Sequence, residues 1–309
     1  MSRKTTTRGR STGATTWAPP LPEAPGFAHE VIQTPGLLSH VATIGQGEPI
    51  LLLHGLPQHW WQWRVIAPAL ARRGHRVICP DLRGSGWTTA SQPAVGRETI
   101  MHDLIALLDA LQIDRVHLMS HDLGSLSAMQ LCYRHPDRVR AAVQLSVPPA
   151  FMAFSPKMMP AFKHLPPLIM HRRGQSLRGL FNPAYIEKPL TEHEFDGYLR
   201  VQRRPEIDRA VRIVCRDMVV PEALRILRGH HRRQRLHTPT LIVFGRQDLR
   251  FEESFVRHIC RGAERYADSF ELAFVDDASH FITDDAPDAV ADVALEWFAK
   301  HGESPLEAE

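Results

Sequence analysis

The chain has 309 residues, and 37 Lys or Arg set against 34 Asp or Glu leave a formal charge of +3. With 43% apolar and 23% charged residues its composition is globular, which excludes the disordered, collagenous and disulfide-scaffold classes. No basic stripe with interleaved aromatics offers itself to nucleic acid. The longest apolar run, Ile50 to Leu53, stops at His54, far short of the ~20 residues a membrane-spanning helix needs. Cys79, Cys132, Cys215 and Cys260 are widely spaced and form no CxxC pair, so they read as reduced thiols of a cytoplasmic protein.

Residues 1–26 read as a disordered tail. Met1 to Thr16 is acid-free and rich in Ser, Thr, Arg and Gly, and Pro19-Pro20-Leu21-Pro22 follows, so order is expected to begin near residue 25. A strand-like segment from His29 to Ile44 ends in the turn Gly45 to Pro49. Short apolar runs at Ile50 to Leu53, Arg76 to Cys79, Val116 to Met119 and Ala141 to Leu145 then read as buried parallel strands. Helical patterns lie between them at Trp63 to Arg73, Thr99 to Leu111 and Leu123 to Arg134. This alternation predicts a doubly wound, mostly parallel α/β sheet. It breaks after Pro148-Pro149 and resumes at Thr240 to Phe244 and Glu271 to Val275. Residues 149–236, dense in Pro, Arg and His, are therefore expected to form a helical cap inserted into a core of residues 27–148 and 237–300, with a tail at 301–309. Within the cap, Pro166-Pro167 marks a break, and the basic run Arg225 to His237 reads as a solvated helix end.

Three patterns fall at the carboxyl ends of predicted strands, where open α/β sheets build their sites. Ser120-His121-Asp122-Leu123-Gly124 has the shape of a nucleophile elbow, with small residues two before and two after Asp122 permitting a tight strand-to-helix turn. Neither Ser120 nor Ser125 has small residues at both flanking positions, so a serine nucleophile fails on sterics. Asp248 follows the strand Thr240 to Phe244, and His280 follows Glu271 to Val275. Nucleophile, acid, histidine is the chain order of α/β-hydrolase triads. After the first apolar strand, His54-Gly55-Leu56-Pro57 bends so that the Leu56 N–H, with that of Leu123, faces the elbow as an oxyanion hole.

From about residue 27 to 300 the chain resembles the epoxide hydrolases of the α/β-hydrolase fold. The residues that carry the resemblance are His54-Gly55-Leu56-Pro57-Gln58-His59-Trp60-Trp61, Asp81-Leu82-Arg83-Gly84-Ser85-Gly86, His121-Asp122, Asp248 and His280-Phe281. The resemblance implies a cofactor-independent, metal-free hydrolase with Asp122 as nucleophile, His280 as base and Asp248 as its orienting acid. It also implies a cis proline at Pro57 and a pocket for a small epoxide or other apolar electrophile, near which His54, Pro57 and Trp60 are candidate binding residues. It leaves a homodimer open. In such chemistry the carboxylate displaces oxygen or halide from carbon, and water activated by the histidine then hydrolyses the resulting ester.

Two departures bear on the substrate. Epoxide hydrolases bring two cap tyrosines to the epoxide oxygen, but the corresponding positions here hold Cys215 and, by spacing, His171; the only cap tyrosines are Tyr185 and Tyr198. The residue after the nucleophile, commonly Trp, is Leu123. Hydrolytic haloalkane or haloacetate dehalogenation is therefore an alternative, and a ligand-binding protein with a vestigial triad is a second one.

Overall fold

The computed structural model describes residues 17–153 and 170–302. Its centre is one sheet in the order β1-β2-β4-β3-β6-β7-β8-β9, with the two-residue β5 (Thr89–Ala90) pairing with β2. β1 (Ala28–Thr34) and β2 (Leu37–Ile44) form an antiparallel hairpin at one edge. Beyond the antiparallel β2–β4 pair, β4 (His75–Pro80), β3 (Glu48–Leu53), β6 (Val116–His121), β7 (Val139–Leu145), β8 (Thr240–Gly245) and β9 (Phe270–Val275) all run parallel. Every residue of β6 and β8 is buried, which is why neither strand shows the apolar–polar alternation of a half-exposed one.

Helices cover both faces. On one, α1 (Ile66–Arg72) lays Ile66 and Leu70 beside Trp297 and Phe298 of the C-terminal helix Pro287–Gly302. On the other, α2 (Arg97–Leu111) and α3 (Leu123–Arg134) bury Ile100, Leu104, Leu107, Leu108, Ala128 and Leu131. No helix among the described residues is long and apolar enough to cross a membrane.

Residues 17–26, expected within a disordered tail, are ordered. Residues 17–26 pack on the core because its tryptophans supply donors that this Pro-rich segment's carbonyls accept: Trp87 Nε1 donates to Pro19 O at 2.6 Å and Trp61 Nε1 to Glu23 O at 2.9 Å. Trp17 meets His40 edge-on, with ring centroids 4.7 Å apart.

Between Leu145 and Thr240 the chain leaves the sheet. Its described part there holds α4 (Glu192–Leu199), opened by a capping box of Thr191 and Glu194, then α5 (Pro205–Val214), a π-helical turn at Cys215–Val219 and α6 (Val220–Leu227). Pro166-Pro167 lies outside the described residues. The basic run beyond α6 is not solvated throughout. His231 is buried and pairs with Glu222 Oε1 at 2.7 Å, while Glu222 Oε2 takes Arg97 Nη1 of α2 at 2.7 Å. A buried carboxylate needs such partners, and these fasten the return of this segment to the core. Tyr198 does the same for α4, since its hydroxyl donates to Asp284 Oδ1 at 2.7 Å and accepts from Arg64 Nη1 at 2.8 Å.

Candidate active site

β6 ends at His121, and Asp122 turns the chain into α3 with φ +46° and ψ −124°, a backbone that costs an L-residue of order 1–3 kcal/mol. Two glycines make room for the turn. A Cβ at Gly124 would sit 2.5 Å from the His54 carbonyl oxygen, and one at Gly55 would sit 2.7 Å from Cβ of Asp122. The close approach presses the Leu56-Pro57 bend, which contains a cis Leu56-Pro57 peptide, against the elbow. The Asp122 carboxyl takes the Leu123 amide as a hydrogen-bond donor, one half of the expected oxyanion hole.

The three triad residues converge. His280 Nδ1 donates to the Asp248 carboxylate, 3.3 Å from Oδ2, and Nε2 faces Asp122 Oδ2 at 3.7 Å. Nε2 has no hydrogen-bond partner among the described residues. That arrangement suits a base awaiting a proton, and catalytic contacts of this kind tighten only with substrate bound. The His280 carbonyl is clamped by His121 Nε2 at 2.9 Å and Ser146 Oγ at 2.8 Å. His121 acts as a neutral donor there, since burial pushes its pKa down to about 4. Asp248 accepts the Arg250 amide on Oδ1 at 3.0 Å.

Burial raises the Asp122 carboxyl above the usual carboxylate range, and the neighbouring Arg250 charge with the Leu123 amide opposes the rise. Asp248 is raised for the same reason and opposed chiefly by Arg250. A cavity of about 40 Å³ opens beside the oxyanion turn, lined mainly by apolar side chains including Leu56, Leu82, Leu123, Val211, Val214 and Met218. Its volume admits about one solvent molecule, so a larger guest must displace side chains of α5 and the π-helical turn.

The other expected binding residues divide. Tyr185 reaches the triad, with its ring 5.9 Å from that of His280 and its carbonyl accepting the Phe281 amide at 2.7 Å. Cys215 is buried in the π-helical turn, close enough to Asp122 for the carboxylate, after burial, to push the thiol up. Pro57 sits in the oxyanion bend. His54 lines the cavity but spends both nitrogens on the fold: Nε2 accepts from the Leu82 amide at 3.0 Å, and Nδ1 donates to the Gly55 carbonyl at 2.9 Å.

Three expectations are corrected. Trp60 is fully buried against Phe27 and His29 and belongs to the core, because its amide is drawn to Asp81 Oδ1 at 2.8 Å. His171 lies in a separate cleft of the inserted segment, 3.5 Å from Asp208 Oδ1, the carboxylate there being its partner. Tyr198 is held by Asp284 and Arg64 and serves the joint to the core. Arg250 was missed altogether. Its guanidinium carbon stands 4.3 Å from the centre of the Tyr185 ring, and its only sequence signal is a position two residues beyond Asp248. Among the described residues no group of His, Cys, Asp or Glu is arranged to hold a metal ion.

Residues 48–287 match the α/β hydrolase fold family. Epoxide hydrolase 2 of Siraitia grosvenorii is 46% identical over 121 residues, an aligned stretch that spans only 38% of this chain and 38% of that protein. The soluble epoxide hydrolase of Corynebacterium is 26% identical over 290 residues, covering 88% of this chain and 98% of the relative. Among solved structures, a mutant of the epoxide hydrolase from Solanum tuberosum superimposes with a TM-score of 0.71 at 24% identity, over 89% of this chain and 99% of that one. The order of elements, the elbow and the family match agree, and the chain belongs to the α/β hydrolase fold family.

Proposed function

We propose that the protein is an epoxide hydrolase that opens epoxides to vicinal diols through an alkyl ester of Asp122. The observation that carries this reading is the convergence of a carboxylate nucleophile on the elbow, the His280–Asp248 pair and the Tyr185 ring, with an apolar cavity beside the Leu56 and Leu123 turn. Asp122 attacks an epoxide carbon, the C–O bond breaks, and the electron pair passes to oxygen, which Tyr185 protonates. Water then adds to the Asp122 carbonyl carbon as His280 takes its proton, and the charge that develops on oxygen faces the Leu56 and Leu123 amides. Names of relatives across this fold support the epoxide as substrate. The phenol does too, because a leaving alkoxide gains far more from an acid than a leaving halide does. The four free cysteines, three of them buried, suit a reducing compartment such as the cytoplasm.

Incubation with styrene oxide should yield phenylethanediol, whereas a chloroalkane or chloroacetate should release no chloride; chloride release without diol would overturn the reading. The pH profile has a defined sign. Attack needs ionised Asp122, whose pKa is raised, so the alkylation rate should fall toward acid at a pH above the ordinary Asp value of about 3.9. Burial pushes Tyr185 up to about 12, so the phenol keeps its proton and the rate should hold to about pH 10.

A further inference from the structure

Among the described residues, Arg250 is a cation set against the triad that the hydrolytic scheme above leaves without a task. It lies in the turn between β8 and α7 (Glu253–Ile259), and its side chain is only 11% exposed. Its Nε stands 3.7 Å from Asp248 Oδ1, too far for a hydrogen bond, and neither Nε nor Nη2 has a hydrogen-bond partner among the described residues. An ordinary structural arginine at this burial would have its donors engaged. The guanidinium instead faces the Tyr185 ring at 4.3 Å, inside the range of a favourable cation–π contact.

We infer that Arg250 is a positioning residue for the epoxide-opening step, holding Tyr185 in place as the acid and stabilising the phenolate it leaves. The inference rests on the epoxide reading and names a device within it. Cap tyrosines at the usual positions are replaced here by Cys215 and His171, so a single phenol must serve alone. A lone buried phenol is a weak acid, because its conjugate base would be a desolvated anion. A fixed cation beside the ring stabilises that anion and thereby strengthens the acid. Burial raises Tyr185, and Arg250 is the group that draws it back by its charge and its hydrogen bond, while Asp122 and Asp248 work against it.

The charged and titratable groups facing Tyr185 are Arg250 and Asp248 from the turn after β8, Asp122 from the elbow and His280 from the turn after β9. On Tyr185's own segment, the Lys188 ammonium is taken by the Asp285 carbonyl instead. Arg250 is thus the permanent cation of the group.

The protons balance. In the first step the epoxide oxygen takes the Tyr185 proton as the Asp122–carbon bond forms, leaving a phenolate beside the guanidinium. In the second, water gives hydroxide to the Asp122 carbonyl carbon and a proton to His280. The ester then collapses to a carboxylic acid and the diol alkoxide, and the proton passes between them, leaving Asp122 ionised and the diol neutral. His280, now a cation with its ring 5.9 Å from Tyr185, returns its proton to the phenolate through solvent. Arg250 would hold the phenolate between those two events.

The test is a double-mutant cycle on single-turnover alkylation by styrene oxide, read by rapid quench and intact mass. Arg250→Met should slow alkylation about 10- to 100-fold while slowing ester hydrolysis less. Arg250→Lys, which keeps the charge, should recover most of the loss. In the Tyr185→Phe background the Met substitution should cost less than about threefold, because the residue it serves is gone. Equal losses in both backgrounds, or a loss confined to ester hydrolysis, would mean that Arg250 serves Asp248 alone, and the inference would be wrong. Circular dichroism of each variant separates these outcomes from misfolding. The absence of any epoxide adduct on the otherwise unaltered protein would bring down the epoxide reading and this inference with it. An adduct formed at the same rate with and without Arg250 would bring down the inference only.

Discussion

Asp122→Ala should abolish epoxide turnover, by on the order of 10⁴-fold or more, because no other group at the elbow can form the ester. The fold should survive, since the elbow's geometry depends on Gly55 and Gly124 rather than on the carboxylate. A companion variant sharpens this expectation. Asp122 holds φ +46°, so Asp122→Gly removes the nucleophile and also relieves backbone strain of order 1–3 kcal/mol, offset by roughly 0.5–1 kcal/mol of glycine's own chain entropy. It should be equally inactive and should melt at a higher temperature than Asp122→Ala. Burial of a carboxyl whose ionised form is disfavoured adds to the stability that the native residue forgoes. Turnover of styrene oxide and thermal melts of the two variants check both halves.

His280→Gln should separate the two chemical steps. The imidazole has no part in carbon–oxygen bond breaking, so Asp122 should still be alkylated, in a burst of one equivalent per protein. Ester hydrolysis should then fall about 10²- to 10⁴-fold for want of the base. Nε2 stands 3.7 Å from Asp122 and has no hydrogen-bond partner among the described residues, so the change removes the proton acceptor and, of the resting contacts, only the Nδ1 bond to Asp248. Stopped-flow tryptophan fluorescence with quench-flow sampling would show the burst without the following steady state. Loss of the burst as well would place His280 in the first step.

The sheet was legible because parallel strands buried on both faces leave apolar runs such as Ile50 to Leu53, and the elbow because Gly124 must follow Asp122 at a fixed distance for α3 to lie on β3. The triad followed from strand ends and chain order. The inserted segment was not legible to the same depth, because its site residues are placed by irregular chain rather than by a periodic element. Counting residues from the nucleophile reached His171, which sits in another cleft, whereas Tyr185 comes to His280 from a turn, its own carbonyl accepting the Phe281 amide. Trp60 misled for a different reason. It stands in a run that reads as pocket-lining, yet the buried carboxylate of Asp81 takes its amide and the ring turns into the core. Tyr198 answers to Arg64 and Asp284, partners far away in the sequence that no local pattern announces. The cation Arg250 was hidden by its neighbour, since Asp248 accounted for the motif and left the next residues looking like a plain turn.

The central claim is that the new oxygen of the diol comes from Asp122 and not directly from water. A single turnover with excess protein in water labelled with heavy oxygen tests it most directly. The diol should be unlabelled and one heavy oxygen should appear in the peptide that contains Asp122, because water adds to the carboxyl carbon. Label appearing in the diol on the first turnover, with Asp122 unlabelled, would contradict it.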